Sequence, residues 1–96
     1  MRRKNTQSIG DVIGEYLETM KIRRKLKESR IEKDWAEMVG KNAASLTERV
    51  FIRNKVLFVH LKSSVLRNEL LMMRETIIKR INEKAGEELI NKVVLK

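Results

Sequence analysis

The chain has 96 residues, 42% of them hydrophobic and 36% charged, with 22 Lys and Arg against 13 Asp and Glu and a formal net charge of +9. That is enough chain for one core and one domain, and too apolar for a disordered polymer. Zero Cys and a single His exclude disulfides, thiolate zinc sites, cysteine nucleophiles and histidine metal clusters.

Residues 1–7 read as a flexible basic tail and residues 8–96 as a single domain. In the tail, Arg2, Arg3 and Lys4 serve either as an arm that reaches a nucleic-acid backbone or as a loose solubilising segment. Ser8 followed by Asp11 fits a helix start, and Ile9, Val12, Ile13, Tyr16, Leu17 and Met20 then recur at three- and four-residue steps. This spacing predicts an amphipathic helix over about residues 8–21, with Tyr16 packed and its hydroxyl at the surface. The five-residue step from Leu26 to Ile31 turns about 140° around a helix, so a bend or a new helix start is expected between them. A second helix then carries Ile31, Trp35, Met38 and Val39, with Trp35 in the core, and stops at Gly40. Residues 42–47 read as a short helical turn or loop.

The period changes in the middle of the chain. Arg49, Val50, Phe51, Ile52 and Arg53, then Val56 through Leu61, predict two strands around an Asn54-Lys55 turn. A two-residue loop pairs Ile52 with Leu57, Val50 with Val59, Phe51 with Phe58 and Arg49 with His60. One face is then aliphatic (Val50, Ile52, Leu57, Val59, Leu61), and the other holds Arg49, Phe51, Arg53, Phe58, His60 and Lys62. Ser63 or Ser64 caps a long helix with a stripe of Leu66, Leu70, Met73, Ile77 and Ile81, and Gly86 ends it. The methionines fill gaps along the helix stripes. Val93, Val94 and Leu95 predict a third strand. The fold class is α+β, in the order α-α-β-β-α-β, with helices on one face of a small three-stranded sheet.

No apolar run approaches the roughly 20 residues needed to cross a bilayer, and Met1 to Lys4 lack the apolar stretch of a signal peptide, so a cytoplasmic protein without a membrane partner is expected. The basic excess points to polyanions. Arg23, Arg24, Lys25 and Lys27, placed at a helix N-terminal turn, are candidates for phosphate contacts, the alternative being a solvated charge run. Phe51 and Phe58 among Arg49, Arg53, His60 and Lys62 offer ring faces to unstacked bases and cations to phosphates. Alternatively those rings bury against the N-terminal segment or a second subunit. No nucleophile, base and orienting group can be named together, so neither an enzyme nor a cofactor is expected.

The residues Asp34, Trp35, Val39 and Gly40, then Ala43 to Thr47, the strand Val56 to Leu61, and Ser64 to Leu70 resemble the DciA-like family across residues 8–96. Trp35, Val39, Gly40, Thr47, Leu57, Val59, Glu69 and Leu70 match its pattern, mostly at framework positions. The resemblance implies a K-homology-like domain that binds DNA and, in bacterial members, helps load a DnaB-type replicative helicase; DNA is the expected nucleic acid ahead of RNA, and the residues themselves leave that choice open. Two departures stand out. The chain stops directly after the third strand, where larger members carry an extension that takes part in the helicase contact, so that contact is left open. The nearest match to the Gly-x-x-Gly clamp of K-homology RNA binders is Gly40-Lys41-Asn42-Ala43. The alternative function is a protein-interaction or self-associating module, including a homodimer, whose charge serves solubility or an acidic partner.

Overall fold

The computed structural model describes residues 9–96, so the proposed Ser8 cap and the basic tail lie outside the described residues. Helix α1 runs without a break from Ile9 to Lys33. It is followed by α2 (Trp35–Val39), α3 (Lys41–Ser45), β1 (Thr47–Arg53), β2 (Val56–Leu61), α4 (Ser64–Met72), α5 (Arg74–Ala85) and β3 (Lys92–Leu95). The α+β class and the order of elements agree with the sequence reading.

The expected bend between Leu26 and Ile31 does not occur. The 140° step is real, but Leu26 is 66% exposed; it faces solvent instead of continuing an apolar stripe, so the helix has no reason to turn there. The break comes at Asp34, whose φ of −87° and ψ of 4° leave the helical region. The Asp34 carboxylate holds Arg30 and Lys84, each at 3.5 Å, which ties the end of α1 to α5. Gly40 then separates α2 from α3 at a φ of 94°, a conformation that a side chain would strain.

The sheet order is β1-β2-β3. Strands β1 and β2 pair antiparallel in the register set by the two-residue turn, with Val50 opposite Val59, Phe51 opposite Phe58 and Ile52 opposite Leu57. Asn54 and Lys55 adopt φ values of 52° and 63°, the left-handed pair that matches strand twist. An irregularity between Thr47 and Arg49 breaks the alternation. It brings the Thr47 hydroxyl within 3.1 Å of the Trp35 indole N–H, which donates to it, and the same hydroxyl donates to the Ala43 carbonyl. The single Trp is therefore both 3% exposed and hydrogen-bonded.

Strand β3 lies parallel to β2, as a helical crossover through α4 and α5 requires. The Ser63 hydroxyl caps α4 by accepting from the Leu66 N–H. The long helix expected after it is in fact two, because Met73 leaves helical geometry at a φ of −104° and ψ of 13°. The apolar stripe survives the break: Leu70, Ile77 and Ile81 are all buried with Leu57, Val59, Leu89 and Ile90. Gly86 closes α5 in the left-handed conformation. Beyond it Asn82 acts as a clamp. Its side-chain oxygen accepts from the N–H groups of Leu89 and Ile90, and its amide donates to the Ile90 carbonyl. Those three bonds satisfy buried backbone in a loop that has no ladder of its own.

The first half of α1 is a different environment. Ile9, Val12, Ile13, Tyr16, Leu17 and Met20 are all exposed, and Ile31 is the only buried residue of the helix. The expected packing of Tyr16 is therefore corrected: it is 62% exposed. Met20 and Met72 are likewise at the surface instead of filling gaps, and so is Met73, expected on the buried stripe but placed at the break between α4 and α5. The helix projects from the body, and the molecule measures 60 × 20 × 20 Å. No helix among the described residues is long and apolar enough to cross a membrane.

Candidate nucleic-acid interface

Strand β1 is one edge of the sheet, so every second N–H on it faces outward without a ladder partner. The second half of α1 crosses this edge, and the Glu32 carboxylate accepts the outward N–H of Ile52 at 3.0 Å. One bond thereby protects the edge and sets the distance between helix and strand. Between them lies a groove of about 540 Å³. Its helical wall carries Lys21, Arg24, Lys25 and Glu28; its strand wall carries Arg49, Phe51 and Arg53, with Lys55 at the turn.

The aromatic pair occupies the open sheet face. Phe51 and Phe58 stack across the strands with ring centroids 4.9 Å apart and planes 13° from parallel. The Arg49 guanidinium lies 4.3 Å from the Phe51 centroid and that of Arg53 lies 5.6 Å from it, within cation–π range. The His60 ring is 6.0 Å away and tilted by 46°. Both phenylalanines are half-buried. The two guanidinium groups thus gather over Phe51 on the strand wall of the groove.

The ten candidate residues do not form one site. Arg24, Lys25, Arg49, Phe51 and Arg53 are brought together in the groove. Phe58 and His60 continue the same sheet face through their contacts with Phe51, and Lys62 is exposed just past the end of β2. Arg23 lines a separate concavity with Arg24 and Lys27. Nor does the basic cluster sit at a helix N-terminal turn: it lies midway along α1, where backbone N–H groups are already bonded and no helix dipole adds to side-chain charge.

Intramolecular pairing grades the cations. Lys27 and Arg24 both engage Glu87, Lys55 engages Glu88 at 3.3 Å, and Lys21 engages Glu18 at 3.7 Å. Lys25, Arg49 and Arg53 are in no salt bridge among the described residues. The Lys27 hydrogen bond holds the Glu87 carboxyl below its usual range, with the charges of Lys27, Arg24 and Lys55 adding to the effect against partial burial. Glu28 moves the other way. Burial in the groove wall raises it, nearby Glu32 adds to the rise, and Lys25 and Arg24 only partly oppose it.

The sequence reading missed Lys21, Glu28 and Glu32. Their signal was present: positions 21, 24, 25, 28 and 32 recur at three- and four-residue steps and share one helical face. An expected break after Leu26 divided that face in two. Among the described residues no three His, Asp or Glu side chains are grouped to hold a metal ion.

A cation-lined groove thus runs along the β1 edge of the α+β sheet. The family follows from comparison. Residues 8–95 match the family described as Dna[CI] antecedent, DciA, and the chain belongs to it. The family is related to helicase loading and is not a catalytic one. The chain is similar to a UPF0232 protein of Corynebacterium glutamicum (strain R), 26% identical over 90 residues, which cover 94% of this chain and 51% of that protein. It thus spans about half the length of the curated relative it matches. No solved structure matches it.

Proposed function

We propose that this chain is a nucleic-acid-binding module, directed to DNA more than RNA, that acts in replication beside a DnaB-type helicase. The observation that carries the reading is the groove between α1 and β1, where Lys25, Arg49 and Arg53, in no salt bridge among the described residues, converge from two elements onto one channel. Cations that no carboxylate of the described residues neutralises are the ones that gain most from phosphates. Membership of the DciA family supports the replication setting. The half-length match keeps the helicase contact a proposal for this chain.

The Phe51–Phe58 stack refines the mode of binding. With Arg49 lying over Phe51, a base reaching this platform meets a guanidinium plane first. Phosphate and cation contacts therefore dominate affinity, and base stacking is secondary. Glu28, on the helical wall of the groove, works against binding when ionised.

The test is anisotropy of labelled single-stranded DNA, duplex DNA and RNA of equal length. Neutralising three to five phosphates gives a log–log salt slope of roughly −2 to −4. A Lys25→Ala, Arg49→Ala, Arg53→Ala variant lowers affinity by roughly 100-fold and flattens that slope, since each lost contact removes about one unit of it. Glu28→Gln tightens binding. Salt-insensitive binding, or a triple variant that binds like the parent, refutes the reading.

A further inference from the structure

The first half of α1 raises a question the groove does not answer. Ile9, Val12, Ile13, Tyr16, Leu17 and Met20 form a stripe at helical spacing, each between 41% and 80% exposed. An uncovered helical segment is marginal in water and draws most of its stability from packing. This one also contains Gly10 and Gly14, each costing about 1 kcal/mol against Ala inside a helix. A Cβ built at Gly14 meets nothing within 4 Å, so nothing in this chain's own packing asks for a glycine there.

We propose that residues 9–20 of α1 pair antiparallel with the same segment of a second copy of this chain. Area is the first argument. Six side chains of this size, roughly half exposed or more, present on the order of 600–700 Å² per chain; a reciprocal pair covers on the order of 1,300 Å², within the roughly 1,200–2,000 Å² of stable interfaces. The second is self-complementarity: a two-fold axis across the helices lays an apolar stripe on its own copy. The acids of the segment, Asp11, Glu15 and Glu18, follow the same steps on the opposite side of the helix, so no like charges meet across the contact. The small Gly10 and Gly14 beside the stripe let the two backbones approach closely.

Direction follows from where the body sits. Along α1 the stripe continues into Lys27, which binds Glu87, and into Ile31, which is buried in the core. The body therefore occupies the same side of the helix as the stripe, starting just past Met20. Two parallel helices would drive two bodies into one space. Antiparallel helices place Ile9 of each copy opposite Met20 of the other, at the mouth of the concavity of about 740 Å³ where Leu17 and Met20 meet Glu87. The inference does not depend on nucleic-acid binding, because none of the six stripe residues lines the basic groove.

The experiment is sedimentation equilibrium of the chain over roughly 1–500 µM, with Ile13→Asp, Leu17→Asp as the variant; unpaired buried carboxylates weaken dimerisation by roughly 100-fold or more. Trp35 fluorescence checks that the variant keeps its core. Since the chain has no Cys, single cysteines report direction under mild air oxidation. Ile9→Cys forms no disulfide with itself but does so when mixed with Met20→Cys, whereas Ile13→Cys, near the axis, links to itself. A parent that stays monomeric throughout overturns the proposal, as does a monomer that gains helix only on phosphatidylglycerol vesicles. Efficient self-linking of Ile9→Cys overturns the antiparallel pairing.

Discussion

Helix α1 is one unbroken element with two unlike halves. Residues 21–33 are fixed at every turn: Arg24 and Lys27 hold Glu87, Arg30 holds Asp34, Ile31 enters the core and Glu32 caps the Ile52 N–H. Residues 9–20 carry the more regular apolar stripe and bury none of it. Periodicity thus reports that a face seeks cover and says nothing of who supplies it. The half with the poorer stripe is the half that the fold uses.

The contrast can be broken first at leucine, where one residue type occupies both environments. Leu57 is fully buried and Leu17 is 53% exposed. Leu57→Ala should cost about 3–4 kcal/mol in urea unfolding, while Leu17→Ala in dilute protein should stay within about 0.5 kcal/mol. Next in size is Asn82→Ala, which leaves the Leu89 and Ile90 N–H groups without the acceptor that now serves them; a loss of about 2 kcal/mol is expected by the same measurement. The glycines come third and differ in sign. Gly86→Ala forces a side chain into a φ of 75° and should destabilise by about 1 kcal/mol. Gly14→Ala should instead raise the helicity of dilute protein by circular dichroism, since open space surrounds the new methyl.

The smallest effects lie in pH. Glu87, with its lowered pKa, contributes stability that is complete above the ordinary carboxylate range and is lost as pH falls through the folded value. Glu28, with its raised pKa, opposes folding at neutral pH and stops doing so as pH falls through its own folded value. Glu87→Gln should therefore make the acid limb of a stability–pH curve shallower, and Glu28→Gln should make it steeper.

Where local chemistry decides the structure, the sequence was readable. The hairpin register followed from strict alternation and a two-residue turn, the cap of α4 from the hydroxyls of Ser63 and Ser64, of which Ser63 serves, and the end of α5 from Gly86. Trp35 was readable as core from its place on a stripe. The misses arose where a distant partner decides. The continuity of α1 through Leu26 depends on a strand edge that needs covering, and Asn82 clamps a loop whose bare N–H groups no local pattern displays. The break at Met73 has no sequence signal, Met being a good helix former. The groove shared the first of these causes: its strand wall was named residue by residue, and its helical wall was cut by a bend that is not there.

The chain's one tryptophan and one tyrosine fall on either side of this divide. Trp35 is sealed in the core with its N–H bonded to Thr47, and Tyr16 stands in water on the outer half of α1. Excited at long wavelength, the molecule emits from its folded body alone; the tyrosine signal belongs to the projecting helix. Two separate events, closure of the core and covering of the stripe, thus carry separate optical labels in the unmodified protein.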